Sequence, residues 1–390
     1  MTIEDSSNGI TRRKMLRGSA VALSATTLAA SSPGAVAAVR EAAKAKGVRI
    51  DVHRHMWPPA WSAYRDRLGG WPAIGSIPLP EWTVDDHFAF DERWGFDASA
   101  VSLVPPACAL GDVADRRATA RAVNEYGAGL IADHGTRFAV FGTSSLPDLE
   151  GAVAELRYLL DELRLDGFGM STNYFGTYVG DPAFAPIYEE LNARDAVVFV
   201  HPANPAYPPP RVGFSPTKLF AYPSFEWPFD TTRAIANVIH MKVVRDYPRI
   251  RWMFAHTGGA IFSLAFRMST SHAIAPGFHE ELPEGSDRYL KQLYFEVAQA
   301  FGPAQLNAAR EYVAVDHILL GTDTSPLIKL FADDNAEVVP LPPDELPHGG
   351  DPAPGLSEAF TPRDRARIEG PNALALLPRL AAALQARQQR

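Results

Sequence analysis

The sequence predicts an α/β protein of the (β/α)8 TIM-barrel class with long loop insertions on one face. From residue 48 onward, eight short apolar runs alternate with longer amphipathic segments, which is typical of a parallel sheet covered by helices. Four of these runs end in histidine or aspartate, and barrel enzymes carry their catalytic groups at the carboxyl ends of strands. The 390 residues, 46% of them hydrophobic, suffice for one large barrel domain.

The predicted strands and helices follow one another in strict order. The strands cover residues 48–53, 98–104, 137–146, 167–172, 196–201, 251–256, 293–297 and 317–323. Helices are predicted at 114–134, 149–163, 182–194, 231–247 and 303–312, two of them opening at Asp-Pro or Pro-Asp pairs typical of helix starts. Three long interruptions rich in proline and aromatic residues, 56–82, 202–230 and 326–362, each follow a strand. We therefore expect them on the active-site face.

The N-terminus resembles a twin-arginine export signal. Arg12 and Arg13 precede a mildly apolar stretch, and small residues at 35–37 resemble a cleavage site before Ala38. A disordered basic tail is the alternative, but the order of charge, apolar run and small residues favours a signal. The sequence thus predicts a signal peptide at 1–38, one barrel domain at 39–390, export to the periplasm or medium, and the twin-arginine machinery as a partner. The stretch is too short and polar for stable membrane anchoring.

Charge and cysteine content exclude several function classes. The net charge of −8 argues against a nucleic-acid or anionic-membrane surface. Cys108 is the only cysteine, so an intrachain disulfide is impossible and no zinc-finger pattern exists.

Four residues at strand ends predict a metal site. His53 and His55 are two apart, so a strand turns both imidazoles to the same side. His201 and Asp323 end the fifth and eighth predicted strands and would reach the same rim. Imidazole and carboxylate ligands suit a divalent transition metal, of which zinc is the commonest in such sites. Taken alone, His201 is equally compatible with a buried structural histidine whose ring nitrogens are hydrogen-bonded, and Asp323 with a residue that caps a turn.

Two further residues are candidates beside the metal. His256 precedes Thr-Gly-Gly at the end of the sixth strand, and we interpret it as an acid/base group, with a supporting role behind the metal as the alternative. Arg267 is either a surface helix residue or a guanidinium that binds a substrate carboxylate. The other histidines are interpreted as structural or solvent-exposed: His87, His134, His240, His272, His279, His317 and His348. Aromatic residues in the predicted rim loops are candidate walls for an aromatic acid: Trp57, Trp61, Trp82, Phe175, Tyr178, Phe225 and Trp227.

These residues together resemble the amidohydrolase-related, metal-dependent decarboxylases of the aminocarboxymuconate-semialdehyde decarboxylase type. The matching pieces span nearly all of the chain after residue 49: Ile50-Asp-Val-His-Arg-His55, Phe199-Val-His-Pro202, Trp227-Pro-Phe-Asp-Thr-Thr-Arg233, His256-Thr-Gly-Gly259, Arg267, Gly321-Thr-Asp323 and Gly370-Pro-Asn-Ala-Leu374. Residues 167–186 and 196–202 look closest to the 6-methylsalicylate decarboxylase subgroup. The export signal departs from the intracellular enzymes of this group.

The resemblance implies an amidohydrolase-like barrel with metal ligation by His53, His55, His201 and Asp323, His256 nearby and Arg267 on a carboxylate. Strand 4 lacks the carboxylated lysine of two-metal barrels, so one divalent metal is expected, zinc or alternatively manganese, without an organic cofactor. The implied activity is non-oxidative decarboxylation of an aromatic ortho-hydroxy acid such as 6-methylsalicylate to 3-methylphenol and carbon dioxide, with Asp323 or His256 as proton donor. The alternatives are a metal-dependent hydrolase of a lactone or amide and an exported, non-catalytic metal-binding barrel. A homodimer is a further expectation from the family.

Overall fold

The computed structural model describes residues 47–69, 82–205, 225–274, 277–300, 302–323, 353 and 355–389. The predicted export signal lies outside these residues, as do the central parts of the three predicted interruptions. Within the described residues no helix has both the length and the apolar character needed to cross a bilayer.

Eight parallel strands form the barrel, which confirms the predicted fold class. They are β1 Ile50–His55, β2 Ala98–Ser102, β3 Phe138–Gly142, β4 Gly167–Ser171, β7 Val197–His201, β8 Arg251–Phe254, β9 Tyr294–Glu296 and β10 Ile318–Leu319, paired in that order. The two short strands β5 (Asn173–Tyr174) and β6 (Thr177–Tyr178) form an antiparallel hairpin after β4. Backbone hydrogen bonds from Val52 N to Leu320 O (2.9 Å) and from Asp323 N to His53 O (2.9 Å) bring the last strand back to the first.

Helices cover the strands on the outside. They are α1 Pro59–Arg67, α2 Val84–Trp94, α3 Val113–His134, α4 Leu149–Arg157, α5 Ala185–Ala193, α6 Trp227–His240, α7 Val243–Asp246, α8 Ile261–Ile274, α9 Phe278–Glu281, α10 Ser286–Leu290, α11 Pro303–Tyr312, α12 Gly355–Ala359, α13 Pro362–Ile368, α14 Pro371–Leu376 and α15 Pro378–Gln388. The helix predicted at 231–247 begins earlier and is broken into α6 and α7, because Lys242 between them has φ +66°. The sequence analysis gave no bounds for α1, α2, α8–α10 and α12–α15.

Small and apolar side chains fill the barrel interior, and the C-terminal helices close its lower end. The inner cluster contains Ile50, Val52, Phe141, Phe199 and Met253 from the strands, joined by Leu376, Leu380 and Leu384 from α14 and α15. A second and larger apolar cluster lies between the strands and the surrounding helices. With the lower end filled by packed side chains, the carboxyl ends of the strands form the accessible face, as expected for a barrel enzyme.

Candidate metal centre

The structure brings together the four residues that the sequence singled out as metal ligands. One ligand atom from each of His53, His55, His201 and Asp323 lies within 4.8 Å of all the others, and all four residues are buried. The Nε2 atoms of His53 and His55 are 3.3 Å apart, and they lie 3.3 and 3.0 Å from Oδ1 of Asp323. Three nitrogens and one oxygen around one point form a donor set that suits a single divalent metal ion.

A β-bulge in β1 directs both histidines of the His-x-His pair into the barrel. Asp51 pairs with Ser99 but Arg54 pairs with Val101, so β1 contains one residue more than β2 over this stretch. Because of the extra residue, Val52 and its neighbour His53 both face the barrel interior. Val52 belongs to the inner apolar cluster, and the His53 ring contacts the interior residue Phe199, with ring centroids 4.8 Å apart. Strand alternation alone would place adjacent residues on opposite faces.

Asp51 holds the bulge and the Asp323 segment together. Its Oδ1 accepts the backbone N–H groups of His53 (3.1 Å) and Thr322 (3.0 Å), and its Oδ2 accepts the Thr322 hydroxyl at 2.6 Å. The side chain is fully buried, and burial raises its pKa to about 6 although Arg54 and these hydrogen bonds act in the opposite direction. The acidic residue of the His-x-His motif is thus a structural link between the first and last strands.

The three imidazoles are oriented with Nδ1 held by the protein and Nε2 facing the cluster. Nδ1 of His53 lies 2.9 Å from the Glu296 carboxylate, Nδ1 of His55 lies 3.4 Å from Ser102 O, and Nδ1 of His201 lies 2.8 Å from Pro202 O. Each of these acceptors fixes the proton on Nδ1 and leaves the Nε2 lone pair for a metal. Nε2 of His201 is buried and has no hydrogen-bond partner among the described residues. A metal ion would satisfy this atom, so the residues present fit a metal.

Glu296 is a buried site residue that the sequence analysis did not single out. It is fully buried at the end of β9, and its carboxylate accepts hydrogen bonds from His53 Nδ1 (2.9 Å), the backbone N–H of His256 (2.6 Å) and that of Ala298 (2.7 Å). The one signal in the sequence is an acidic residue inside the apolar run 293–297. A buried carboxylate in such a run requires partners, but the sequence does not say which.

The two carboxylates make the cluster favourable for positive charge. Burial alone would lower the pKa of His53, but Asp323 and Glu296 raise it to about 9. Burial lowers the pKa of His55 and holds that of His201 well below its usual value. Burial would raise the pKa of Asp323, yet His53, His256 and His55 hold it well below the usual range. The position between these groups therefore favours a cation, whether a proton or a metal ion.

His256 and Gln299 lie beside the second oxygen of Asp323. Asp323 Oδ2 is 3.2 Å from His256 Nε2 and accepts a hydrogen bond of 2.5 Å from Gln299 Nε2. His256, Thr257, Gln299 and Asp323 all have φ between +51° and +57°, a region that is costly for residues other than glycine. Backbone strain of this kind persists where surrounding contacts fix the conformation, and it is common at functional sites.

Arg267 differs from the four ligands in its surroundings. It is on α8 and is exposed, whereas the ligand cluster is buried. Its role in binding a substrate carboxylate stays a prediction.

A cavity adjoins the cluster on the side of β2, β3 and β4. His201, Phe199, Met170, Ser102 and Tyr174 line it. Gly142 and Gly169 also line it. Of the predicted aromatic walls, Phe175 lines a second space that adjoins this one. Trp61 instead belongs to α1, where it is buried and donates from Nε1 to Ala107 O (3.0 Å).

The comparisons with known proteins all point to the same family. Residues 50–379 match the amidohydrolase family model Amidohydro_2. Over 287 residues the chain is 31% identical to the 6-methylsalicylic acid decarboxylase of Penicillium expansum, covering 70% of this chain and 84% of that protein. It is 26% identical over 239 residues to the 2-amino-3-carboxymuconate-6-semialdehyde decarboxylase of Dictyostelium discoideum, covering 55% of this chain and 64% of that protein.

The fold is also similar to that of a solved decarboxylase structure. A dihydroxybenzoic acid decarboxylase from Polaromonas sp. JS666, crystallised with manganese and the inhibitor 2-nitroresorcinol, superposes with a TM-score of 0.65. The match covers 85% of this chain and 97% of that one at 20% sequence identity. At that identity the comparison supports the fold.

Proposed function

Because the chain belongs to the amidohydrolase family and its named relatives are decarboxylases, we propose that it is a metal-dependent carboxy-lyase acting on an aromatic ortho-hydroxy acid. The specific substrate proposed is 6-methylsalicylate, giving 3-methylphenol and carbon dioxide. The observation that carries this proposal is the buried set of three imidazoles and one carboxylate, each with one ligand atom within 4.8 Å of the others, beside a cavity lined partly by aromatic and apolar side chains.

His53, His55, His201 and Asp323 would hold the metal ion, which when bound supplies Lewis-acid stabilisation of negative charge on the substrate oxygens. Phe199, Met170 and Tyr174 line the adjoining cavity, whose volume of about 20 Å³ is room for about one water molecule, so a bound acid would place only its carboxylate or one ring edge beside them. The reaction adds a proton to the ring carbon that bears the carboxylate. The carbon–carbon bond then breaks, its electron pair returns to the ring, and carbon dioxide leaves.

His256 is the proton donor in this proposal. Its Nε2 lies 3.2 Å from Asp323 Oδ2 and outside the four-ligand set, so the imidazole can hold and deliver a proton at the rim of the site. Asp323 is committed to the cluster through its other oxygen, 3.0 Å from His55 Nε2. Asp323 in turn orients His256.

The test is decarboxylation of 6-methylsalicylate by the zinc- or manganese-loaded protein, followed by chromatography of 3-methylphenol and by carbon dioxide release. We expect both products in equal amounts from the wild type. We expect neither from His201→Ala, which should also fail to retain stoichiometric metal. His317→Ala is the matched control, since His317 lies outside the cluster and bonds Leu293 O. Full turnover in His201→Ala would overturn the site, and consumption of water without carbon dioxide would indicate a hydrolase instead.

The native metal is proposed to be zinc, because a compact set of three nitrogens and one oxygen is a common zinc environment. Manganese is the alternative, as found in the Polaromonas enzyme. Metal analysis of protein purified without added metal tests this, and a stoichiometric content of manganese would overturn the zinc proposal.

Export by the twin-arginine route is also proposed, with Arg12 and Arg13 as the recognised pair and a mature chain beginning near Ala38. Lysine at both arginine positions should retain the protein in the cytoplasm of its host. The matched control exchanges two exposed arginines of the barrel domain, Arg363 and Arg387, for lysine and should leave export unchanged. N-terminal sequencing of the exported protein tests the cleavage point, and an intact N-terminus on that protein would contradict cleavage.

A further inference from the structure

A second space, which we call the outer cleft, adjoins the cavity beside the ligand cluster. It lies between the loop residues 105–110 on one side and residues 171–175 and 203–205 on the other. We propose that the outer cleft is a subsite for an apolar substituent of several carbons on the ring of the aromatic acid. This inference rests on the proposed decarboxylation. The substrate class would then extend from 6-methylsalicylate to ortho-hydroxy acids with an alkyl chain longer than methyl.

The outer cleft adjoins the cavity that contains His201, because Pro105, Ser171 and Tyr174 line both spaces. The inner cavity measures only about 20 Å³. A ring bound beside these three residues would therefore direct its carboxylate toward His201 and a substituent into the cleft. The cleft has a volume of about 220 Å³, far above the roughly 10–15 Å³ that one water molecule needs. A methyl group would leave most of it filled with water.

The lining of the outer cleft is chemically suited to a hydrocarbon chain. Its long wall consists of Pro105, Pro106, Ala109 and Leu110, and Phe175 lies opposite. Among its described lining residues there is no ionisable carboxylate, lysine or arginine. A charged substituent would lose water there without a partner of opposite charge, although Ser171, Asn173, Tyr174 and Asn204 also line the cleft, whereas each methylene would gain by leaving water.

Hydrogen bonds from α1 fix the long wall. Trp61 Nε1 donates to Ala107 O at 3.0 Å, and the backbone N–H of Leu110 donates to the Tyr64 hydroxyl at 3.0 Å. The same hydroxyl donates to Leu110 O. Both aromatic side chains are buried, so the wall is supported from behind and the cleft exists before a ligand enters.

A buried polar network around Asp230 fixes the opposite wall. The Asp230 carboxylate accepts from Asn173 Nδ2 at 2.8 Å and also from the hydroxyls of Thr172 and Tyr178. Thr172 Oγ1 accepts the backbone N–H of Ala203 at 2.9 Å, which ties the segment after β7 to the β5–β6 hairpin. A wall held by a buried carboxylate is costly to rearrange. The cleft is thus a preformed subsite of the kind that binds ligands without a large ordering cost.

Phe175 presents an apolar ring at the rim of the cleft. Its residue is 63% exposed and its φ is +54° in the β5–β6 turn. Residues other than glycine rarely adopt this backbone conformation. The fold therefore holds an aromatic residue at a strained position with most of its surface in water. An alkyl chain lying in the cleft would cover part of that surface.

The experiment measures binding and turnover separately for salicylates that carry methyl or hexyl at ring positions 4, 5 or 6. Calorimetry with the metal-loaded protein gives Kd, and carbon dioxide release gives turnover. Each buried methylene raises affinity by up to about fourfold, so at least one hexyl isomer should bind at least about tenfold more tightly than its methyl counterpart. If no hexyl isomer binds more tightly, the outer-cleft proposal is overturned.

Two variants locate the effect. Leu110→Trp should fill the cleft and remove the hexyl advantage while leaving Kd for the methyl compound within about twofold. Phe175→Ala, at an exposed position that tolerates truncation, should reduce the advantage severalfold. Phe266→Ala is the matched control, since Phe266 is 74% exposed on α8 and does not line the cleft. A hexyl advantage that survives Leu110→Trp would overturn the assignment to this cleft. Tight hexyl binding without carbon dioxide release would instead contradict the decarboxylase proposal and leave the subsite standing.

Discussion

Glu296 lies directly behind His53, with its Oε1 2.9 Å from the imidazole Nδ1 on the side away from the ligand cluster. The two residues are 243 positions apart in the chain, and both side chains are fully buried. Since a carboxylate only accepts, the hydrogen bond holds a proton on Nδ1 and directs Nε2 to the cluster. The same carboxylate binds the backbone N–H of His256. One buried acid thus orients both a proposed metal ligand and the residue proposed to deliver the proton.

Glu296→Gln should weaken metal binding by about 10- to 100-fold, because the amide replaces a charged acceptor behind His53. Competition with a chelating dye measures the metal Kd. Asp166→Asn is the control, since it removes a buried carboxylate that pairs with Arg379 outside the metal cluster and should change stability without changing metal Kd. Equal metal affinity in Glu296→Gln and the wild type would rule out this role.

Gly321→Ala should destabilise the fold and weaken metal binding. A Cβ at this position would lie 2.1 Å from Glu296 Oε2 and 2.9 Å from His53 Cβ, so the pair would have to separate. We expect a loss of about 1–3 kcal/mol in the free energy of unfolding, measured by urea denaturation. In Gly129→Ala the new Cβ would meet nothing within 4 Å, and alanine should slightly stabilise α3. A neutral result at position 321 would contradict the tight packing.

His256→Gln should retain metal while kcat falls by about 10²- to 10⁴-fold, the range typical of a removed general acid. Asp323→Asn should by contrast lose metal together with activity, because Asp323 belongs to the ligand set. Metal analysis beside steady-state kinetics separates the two outcomes. Loss of metal in His256→Gln would make His256 a ligand or a structural support instead of the proton donor.

His87 should make the protein less stable as the pH falls below about 6.5. Burial, with Arg54 and Arg137 nearby, holds its pKa well below the ordinary value of 6.5, and neither ring nitrogen has a hydrogen-bond partner among the described residues. Below pH 6.5 the unfolded chain binds a proton at this residue that the folded chain does not. The free energy of unfolding should therefore decrease by up to about 1.4 kcal/mol per pH unit from this group.

His87→Phe should reduce that pH dependence, because the phenyl ring has no proton to bind and His87 already packs against Phe138 with centroids 4.7 Å apart. Urea denaturation at pH 7.5, 6.5 and 5.5 gives the slope. His279→Phe, at an exposed position, serves as the control. Identical slopes in His87→Phe and the wild type would show that His87 is not responsible.

Local patterns in the sequence were enough to predict the barrel and to nominate the four candidate ligands. Apolar runs of strand length alternating with amphipathic segments depend only on near neighbours in the chain, and the parallel arrangement then places every strand end on one face. His55 and His201 end their strands, His53 lies two residues earlier in β1, and Asp323 follows the end of β10 by four residues, so their meeting in space follows from the topology. Boundaries were less well predicted where the chain breaks locally, as at Lys242 between α6 and α7.

Contacts between distant segments decided the rest. The bulge in β1 appears only when β1 is aligned with β2, and the place of Glu296 behind His53 requires β9 to lie close to β1 inside the barrel. The support of the outer cleft by Asp230 likewise joins residues more than 50 positions apart. Hydrogen bonding and close packing act over a few ångströms in space, whatever the separation along the chain. A sequence pattern can therefore mark a buried acid as in need of partners, but the folded chain selects them.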